Sequence, residues 1–213
     1  MRRLNTSPLV NAGGFRVLHD LARRILLGME KLIIGLMGVK QAGKSTVARI
    51  LADEHGFAIL EPGRQVMELL LDINPTMIIE DKGRIYAHSV SDVYELRGYE
   101  GFKSYPEGRR LLQELGTRIR ERDPYFWVNL QNQAIASTDG NIVHTSVRFP
   151  NEARLITGYE GSLWLIDNPR IEDNDSHESE KAWRDIIPTR VITNDSTLSD
   201  LGRTVSDAIK DLR

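Results

Sequence analysis

Cysteine is absent from this chain of 213 residues. No disulfide can staple the fold, and no thiolate can act as nucleophile or metal ligand. Neither charge sign is in excess: 28 basic against 30 acidic side chains leave a net −2. That excludes a general polybasic surface, so stable nucleic-acid binding is not expected. No apolar run approaches the roughly 20 residues that span a bilayer, so no membrane role is expected. Aromatics are sparse at 7%, while the 40% hydrophobic and 27% charged fractions are those of a globular protein. The length supports one domain with a substantial core, and a reducing, cytoplasmic setting suits the composition.

Residues 1–28 read as a segment outside that domain. Phe15 to Leu27 has Val17, Leu18, Leu21, Ile25 and Leu26 apolar, with Arg16, Arg23 and Arg24 between them. This predicts a short amphipathic helix whose charges interrupt any signal-peptide core. Met29 is a candidate alternative start, and the main domain is expected over 29–213.

Against these absences stands one strong motif. Gly38-Val39-Lys40-Gln41-Ala42-Gly43-Lys44-Ser45-Thr46 fits the phosphate-binding loop pattern G-x-x-x-x-G-K-[ST]. Leu32 to Met37 reads as a buried strand entering it, and Thr46 to Ala52 as a helix leaving it. Gly38 and Gly43 let the backbone curl with its N–H groups inward. Those amides and the helix start form an anion site. Lys44 can reach β- and γ-phosphates, and the Ser45 hydroxyl can ligate Mg²⁺.

Further strands are predicted at 56–60, 141–145, 162–166 and 190–193. Helices are predicted from Pro62 to Leu71, Glu107 to Glu121, Asp123-Pro124 to about Ser137, Pro150 to Thr157, and from Leu198 to the C-terminus. Residues 72–106, broken by Asn74-Pro75, Lys82-Gly83 and Arg97-Gly98, read as loop or insertion. Strands alternating with helices predict an α/β fold, a parallel sheet of about five strands with helices on both faces. Ligands in such sheets sit at the carboxyl ends of the strands.

The order of motifs carries a resemblance. The phosphate loop, Arg109-Arg110-Leu111-Leu112-Gln113-Glu114-Leu115-Gly116-Thr117, Trp127, Val147-Arg148-Phe149-Pro150-Asn151-Glu152-Ala153, His177-Glu178-Ser179-Glu180 and Thr193-Asn194-Asp195 follow one another. This series resembles the bacteriophage deoxynucleoside monophosphate kinases over about residues 31–212. The resemblance implies a P-loop kinase fold with a small lid at about 168–188. The implied reaction is transfer of the γ-phosphoryl of ATP, with Mg²⁺, to a deoxynucleoside monophosphate. It also suggests a homodimer.

The resemblance implies catalytic roles for Lys44, Arg148 and Glu152. Gly38, Lys40, Ala42, Gly43, Lys44, Ser45, Thr46, Arg170 and Asn194 would serve ATP, with Ser45 also on the metal. Arg64, Arg109, Arg110, Gln113, Thr117 and Trp127 are the candidates for the monophosphate substrate, Trp127 either stacking on the base or walling the core. One position departs from the family pattern. Ser146 stands where an Asp usually precedes Val-Arg-Phe, so Glu61, Glu152 or Asp167 becomes a candidate carboxylate. Two other readings stay open: another small-acceptor kinase, akin to dephospho-coenzyme A kinases, and a nucleotide-binding module without turnover.

Overall fold

The computed structural model describes residues 31–171 and 182–212. The expected N-terminal helix, His177 and most of the expected lid lie outside these residues.

The fold grows from the strand that enters the phosphate loop. β1 (Ile33–Met37) is buried along its whole length. Its neighbours are β2 (Ala58–Leu60), β5 (Ile142–His144), β6 (Ser162–Asp167) and β7 (Arg190–Thr193), all parallel, in the order β2-β5-β1-β6-β7. A central parallel strand is covered on both faces, so it reads as a continuous apolar run rather than an alternating one.

Each face of β1 feeds its own core. Ile34 and Leu36 join Val47, Leu51, Trp164, Ile166, Leu201 and Val205, packing α1 (Lys44–His55) and α7 (Leu198–Lys210) on one side. Ile33 and Met37 join Ile135, Val147, Ile156 and Leu163, packing α5 (Phe126–Ser137) and α6 (Pro150–Gly158) on the other. Gly35 lies on this second face. A Cβ there would come within 2.7 Å of Val147 Cγ2, so the missing side chain is what lets α6 and its preceding loop close on the sheet.

Residues 72–106 are ordered elements, contrary to the sequence expectation. β3 (Thr76–Asp81) and β4 (Arg84–Ser89) form an antiparallel hairpin. Its turn is Lys82-Gly83, with φ of 50° and 75°; two positive-φ residues are what a two-residue hairpin of type I′ needs. Ser89 caps α3 (Val90–Ser104) by accepting from the Asp92 amide at 3.1 Å. The hairpin escapes a periodicity reading because its strands are largely exposed, with Met77 alone fully buried among the described residues. Met77 joins Met67 and Leu70 of α2 (Pro62–Ile73) and Val90, Val93, Tyr99 and Phe102 of α3 in a third core, which Leu111, Leu112 and Leu115 of α4 (Pro106–Arg122) close. This helical unit stands beside the carboxyl end of β2. Among the described residues no helix is long and apolar enough to cross a membrane.

Under it lies a buried polar pair. His144 ends β5 fully buried, its Nε2 at 3.1 Å from Gln131 Oε1 of α5. Among the described residues, His144 Nδ1 and Gln131 Nε2 have no partner. Burial pushes the imidazole down from 6.5 to about 4, so it folds neutral. The unfolded chain takes up a proton near pH 6.5 that the native state refuses until about pH 4. Stability from this group is therefore full above pH 6.5 and lost as pH falls towards 4, by about 1–3 kcal/mol. Urea unfolding between pH 7.5 and 4.5 should show a steeper loss in the native chain than in His144→Gln.

Candidate functional site

The carboxyl ends of the parallel strands bring Gly38, Glu61, Ser146, Asp167 and Asn194 to one edge. The phosphate loop is held there by contacts that admit no side chain. Gly38 has φ 132°, and a Cβ on it would collide with the Ile166 carbonyl oxygen at the end of β6. Gly43 has φ 109°, and a Cβ there would collide with the Asn194 amide just past β7. Asn194 Nδ2 donates to the Ala42 carbonyl at 2.9 Å, and Ala42 itself is buried. Asn194, expected to serve ATP, thus clamps the loop.

Lys44 Nζ donates to the Gly38 and Val39 carbonyls, at 2.7 Å each. The ammonium is thereby held over the concave side of the loop. The start of α1 has no side-chain cap and no acidic residue in its first turn. Its orphan amides and the helix dipole remain available to an anion. Lys40 and Ser45 are exposed and Thr46 is half-buried at the rim. A phosphate chain fits this cradle by charge and by shape.

The loop after β5 is shaped by one carboxylate. Val147 extends the pairing with β1, its amide donating to Leu36 O at 2.8 Å. Glu152, on α6 and only 3% exposed, then turns back. Its Oε2 accepts from the amides of Arg148 at 2.8 Å and Phe149 at 3.2 Å, and its Oε1 from Arg120 Nη2 of α4 at 3.2 Å. The Arg120 guanidinium also lies 3.8 Å from the centre of the Phe149 ring. Burial pushes the Glu152 carboxyl above its ordinary range, opposed by those amides and by Arg120. With both oxygens engaged and almost no exposure, Glu152 holds the backbone that carries Arg148. Arg148 Nε donates to Ser146 Oγ at 2.8 Å, so the Ser146 hydroxyl orients this arginine.

On the other side of β5, Arg64 lies in the first turn of α2, its Nε 2.9 Å from Glu61 Oε2. Arg109, Gln113 and Thr117 share one half-buried stripe of α4, and Arg120 continues it at the next turn. That spacing was the available signal for Arg120, which sequence reading missed. Two other candidates are engaged by the protein itself. Arg110 faces solvent, paired with Glu107 at 2.6 Å and Glu114 at 2.7 Å. Trp127 is buried, donating its Nε1 to the Gly116 carbonyl at 2.9 Å and meeting the Phe126 ring edge-on, so it walls the core. Arg170 is exposed and donates to the Asp195 carbonyl, bridging the ends of β6 and β7.

The sheet order, the phosphate loop and the arginines around it support a P-loop small-molecule kinase as the class. One sequence relative is consistent with this. The chain is 27% identical over 188 residues to an Acanthamoeba polyphaga mimivirus protein named "Putative deoxynucleotide monophosphate kinase", covering 79% of this chain and 91% of that one. It is 34% identical over 101 residues to the uncharacterized protein ORF77 of Ictalurid herpesvirus 1, covering 44% of each. Solved structures similar to it include dephospho-CoA kinase from Campylobacter jejuni, at 15% identity and TM-score 0.45, covering 86% of this chain and 98% of that one. Another is shikimate kinase from Aquifex aeolicus, at 14% identity and TM-score 0.44, covering 84% and 97%. No protein-family model matches the chain.

Removing the Glu152 carboxylate leaves two amides and a guanidinium without their acceptor. Glu152→Ala should lower the unfolding free energy by about 3–5 kcal/mol. Glu152→Gln, which keeps the shape, should cost about 1–3 kcal/mol. Urea denaturation at pH 7 measures both.

Proposed function

We propose that this chain transfers the γ-phosphoryl group of ATP to a deoxynucleoside 5′-monophosphate, yielding the diphosphate. The observation that carries the reading is the placing of two cationic sites on adjacent strand ends of one edge. The phosphate loop follows β1, Arg148 follows β5 and Arg64 follows β2, and β2-β5-β1 are neighbours in the sheet. Phosphoryl transfer between two anions needs this arrangement, because its transition state asks for charge stabilisation and alignment more than for covalent chemistry. The mimivirus relative, by its name, acts on the same substrate class.

In this reading the loop amides and Lys44 hold the ATP phosphates. The two carbonyls that now occupy Lys44 exchange for phosphate oxygens. Arg148, aimed by Ser146 and by the Glu152-bound backbone, neutralises the phosphoryl group between donor and acceptor; its planar fork suits that geometry. Arg109, Gln113 and Thr117 form the wall that α4 offers to the acceptor. No group of three His, Asp or Glu able to cage a metal occurs among the described residues. Ser45 therefore fits a Mg²⁺ ion that keeps waters and phosphate oxygens as its remaining ligands. Such an ion would neutralise phosphate charge when bound.

A coupled assay of ADP formation over the four deoxynucleoside monophosphates, with uracil and hydroxymethylated forms added, tests this. Turnover should require one of these acceptors and Mg²⁺, and Lys44→Ala should reduce it by about 10²-fold or more. ATP binding with no acceptor-dependent turnover would instead leave a nucleotide-binding module.

A further inference from the structure

The corner between β2 and α2 holds more than the arginine singled out by sequence. Tyr99 reaches it from α3 across a break in the helix at Gly98 (φ 63°, ψ −176°) and is only 7% exposed. Its hydroxyl lies where a Cβ on Gly63 would collide with it, against the first turn of α2. Among the described residues that hydroxyl makes no hydrogen bond. Two cations flank the ring: Arg64 Cζ at 4.9 Å and Lys103 Nζ at 4.4 Å from its centre. Both lean on Glu61, Arg64 at 2.9 Å and Lys103 at 4.0 Å, while Lys103 also meets Glu100 at 3.0 Å. The α2 N-terminus has Pro62 in its first turn, no side-chain cap and no acid there.

We propose that this corner seats the phosphomonoester of the acceptor, with Lys103 and Tyr99 as ligands beside Arg64, and that Glu61 is the carboxylate it displaces. The inference rests on the kinase reading for the identity of the acceptor. The Tyr99 ring is buried while its hydroxyl has no protein acceptor among the described residues, which leaves its O–H able to donate to an arriving oxygen. A phosphate dianion brings three acceptor oxygens, one for each of Arg64, Lys103 and Tyr99, where Glu61 meets the two cations alone. Burial, together with Glu61, raises the Tyr99 hydroxyl above its usual range, although Arg64 and Arg148 oppose this. It therefore stays protonated and can donate. Gly63 is small because the hydroxyl occupies the space of its side chain.

Calorimetric titration of the full chain with each deoxynucleoside monophosphate, with inorganic phosphate and with ATP tests the assignment. Lys103→Met should weaken monophosphate binding about 10-fold and Tyr99→Phe about 5-fold, with ATP affinity unchanged as the check on folding. Glu61→Gln removes the competing charge and should tighten binding several-fold, a gain that no loss of fold can produce. If a deoxynucleoside monophosphate binds the native chain and both weakened variants equally, the subsite is overturned and the kinase reading stands. If none of them binds but phosphate does, and Lys103→Met abolishes it, the subsite stands and the nucleotide acceptor falls. Weaker binding in Glu61→Gln overturns the displaced-carboxylate role.

Discussion

The contact of the phosphate loop with the ends of β6 and β7 is the constraint on which the site depends. Two glycines allow it, and each touches a different strand end: Gly38 the Ile166 carbonyl, Gly43 the Asn194 amide. The loop cannot be moved without moving the sheet. Its amides are therefore arranged before any phosphate arrives, and preorganised donors cost no reorganisation when charge develops. The buried, two-faced β1 supplies the rigidity, and Gly35 within it lets α6 press close enough to bring Arg148 to the same edge.

A second constraint is electrostatic. Glu152 is a buried charge, and its desolvation is offset by two backbone amides and by Arg120. A buried ion pair of this kind contributes little net stability, and its known value elsewhere lies in specifying one geometry. Here it joins α4 to the turn before α6 and fixes the backbone that carries Arg148. With Glu152 engaged by the backbone and a serine at position 146, Glu61 is a carboxylate that meets cations at the end of β2.

Legibility followed the length scale of the interactions. The phosphate loop, its strand and its helix are local, and the motif with its flanking periodicity specified them. The inner parallel strands β1, β5 and β6 showed themselves as apolar runs because both their faces are buried, and the edge strands β2 and β7 as short apolar stretches although they are largely exposed. The hairpin at 76–89 did not, since its residues are mostly exposed and its type I′ turn at Lys82-Gly83 looks like any loop break. Tyr99 and Lys103 were hidden by Gly98, which interrupts the helical period and rotates the turns beyond it. Glu152 takes the backbone amide of Arg148, a partner that side-chain spacing cannot reveal. Trp127 and Arg110 sat in the right segments, but their direction depends on how α4 and α5 pack. The N–H of Trp127 finds the Gly116 carbonyl across that interface.

The central claim is that donor and acceptor phosphates meet in line along one sheet edge, between Lys44 and the Arg64–Arg148 side. A bisubstrate compound, adenosine and a deoxynucleoside joined by five phosphates, tests that geometry directly in a calorimetric titration. Two sites on one edge predict an affinity for it at least 10²-fold greater than for ATP alone, because the second site is engaged at high effective concentration. An affinity no greater than that of ATP would contradict the shared edge.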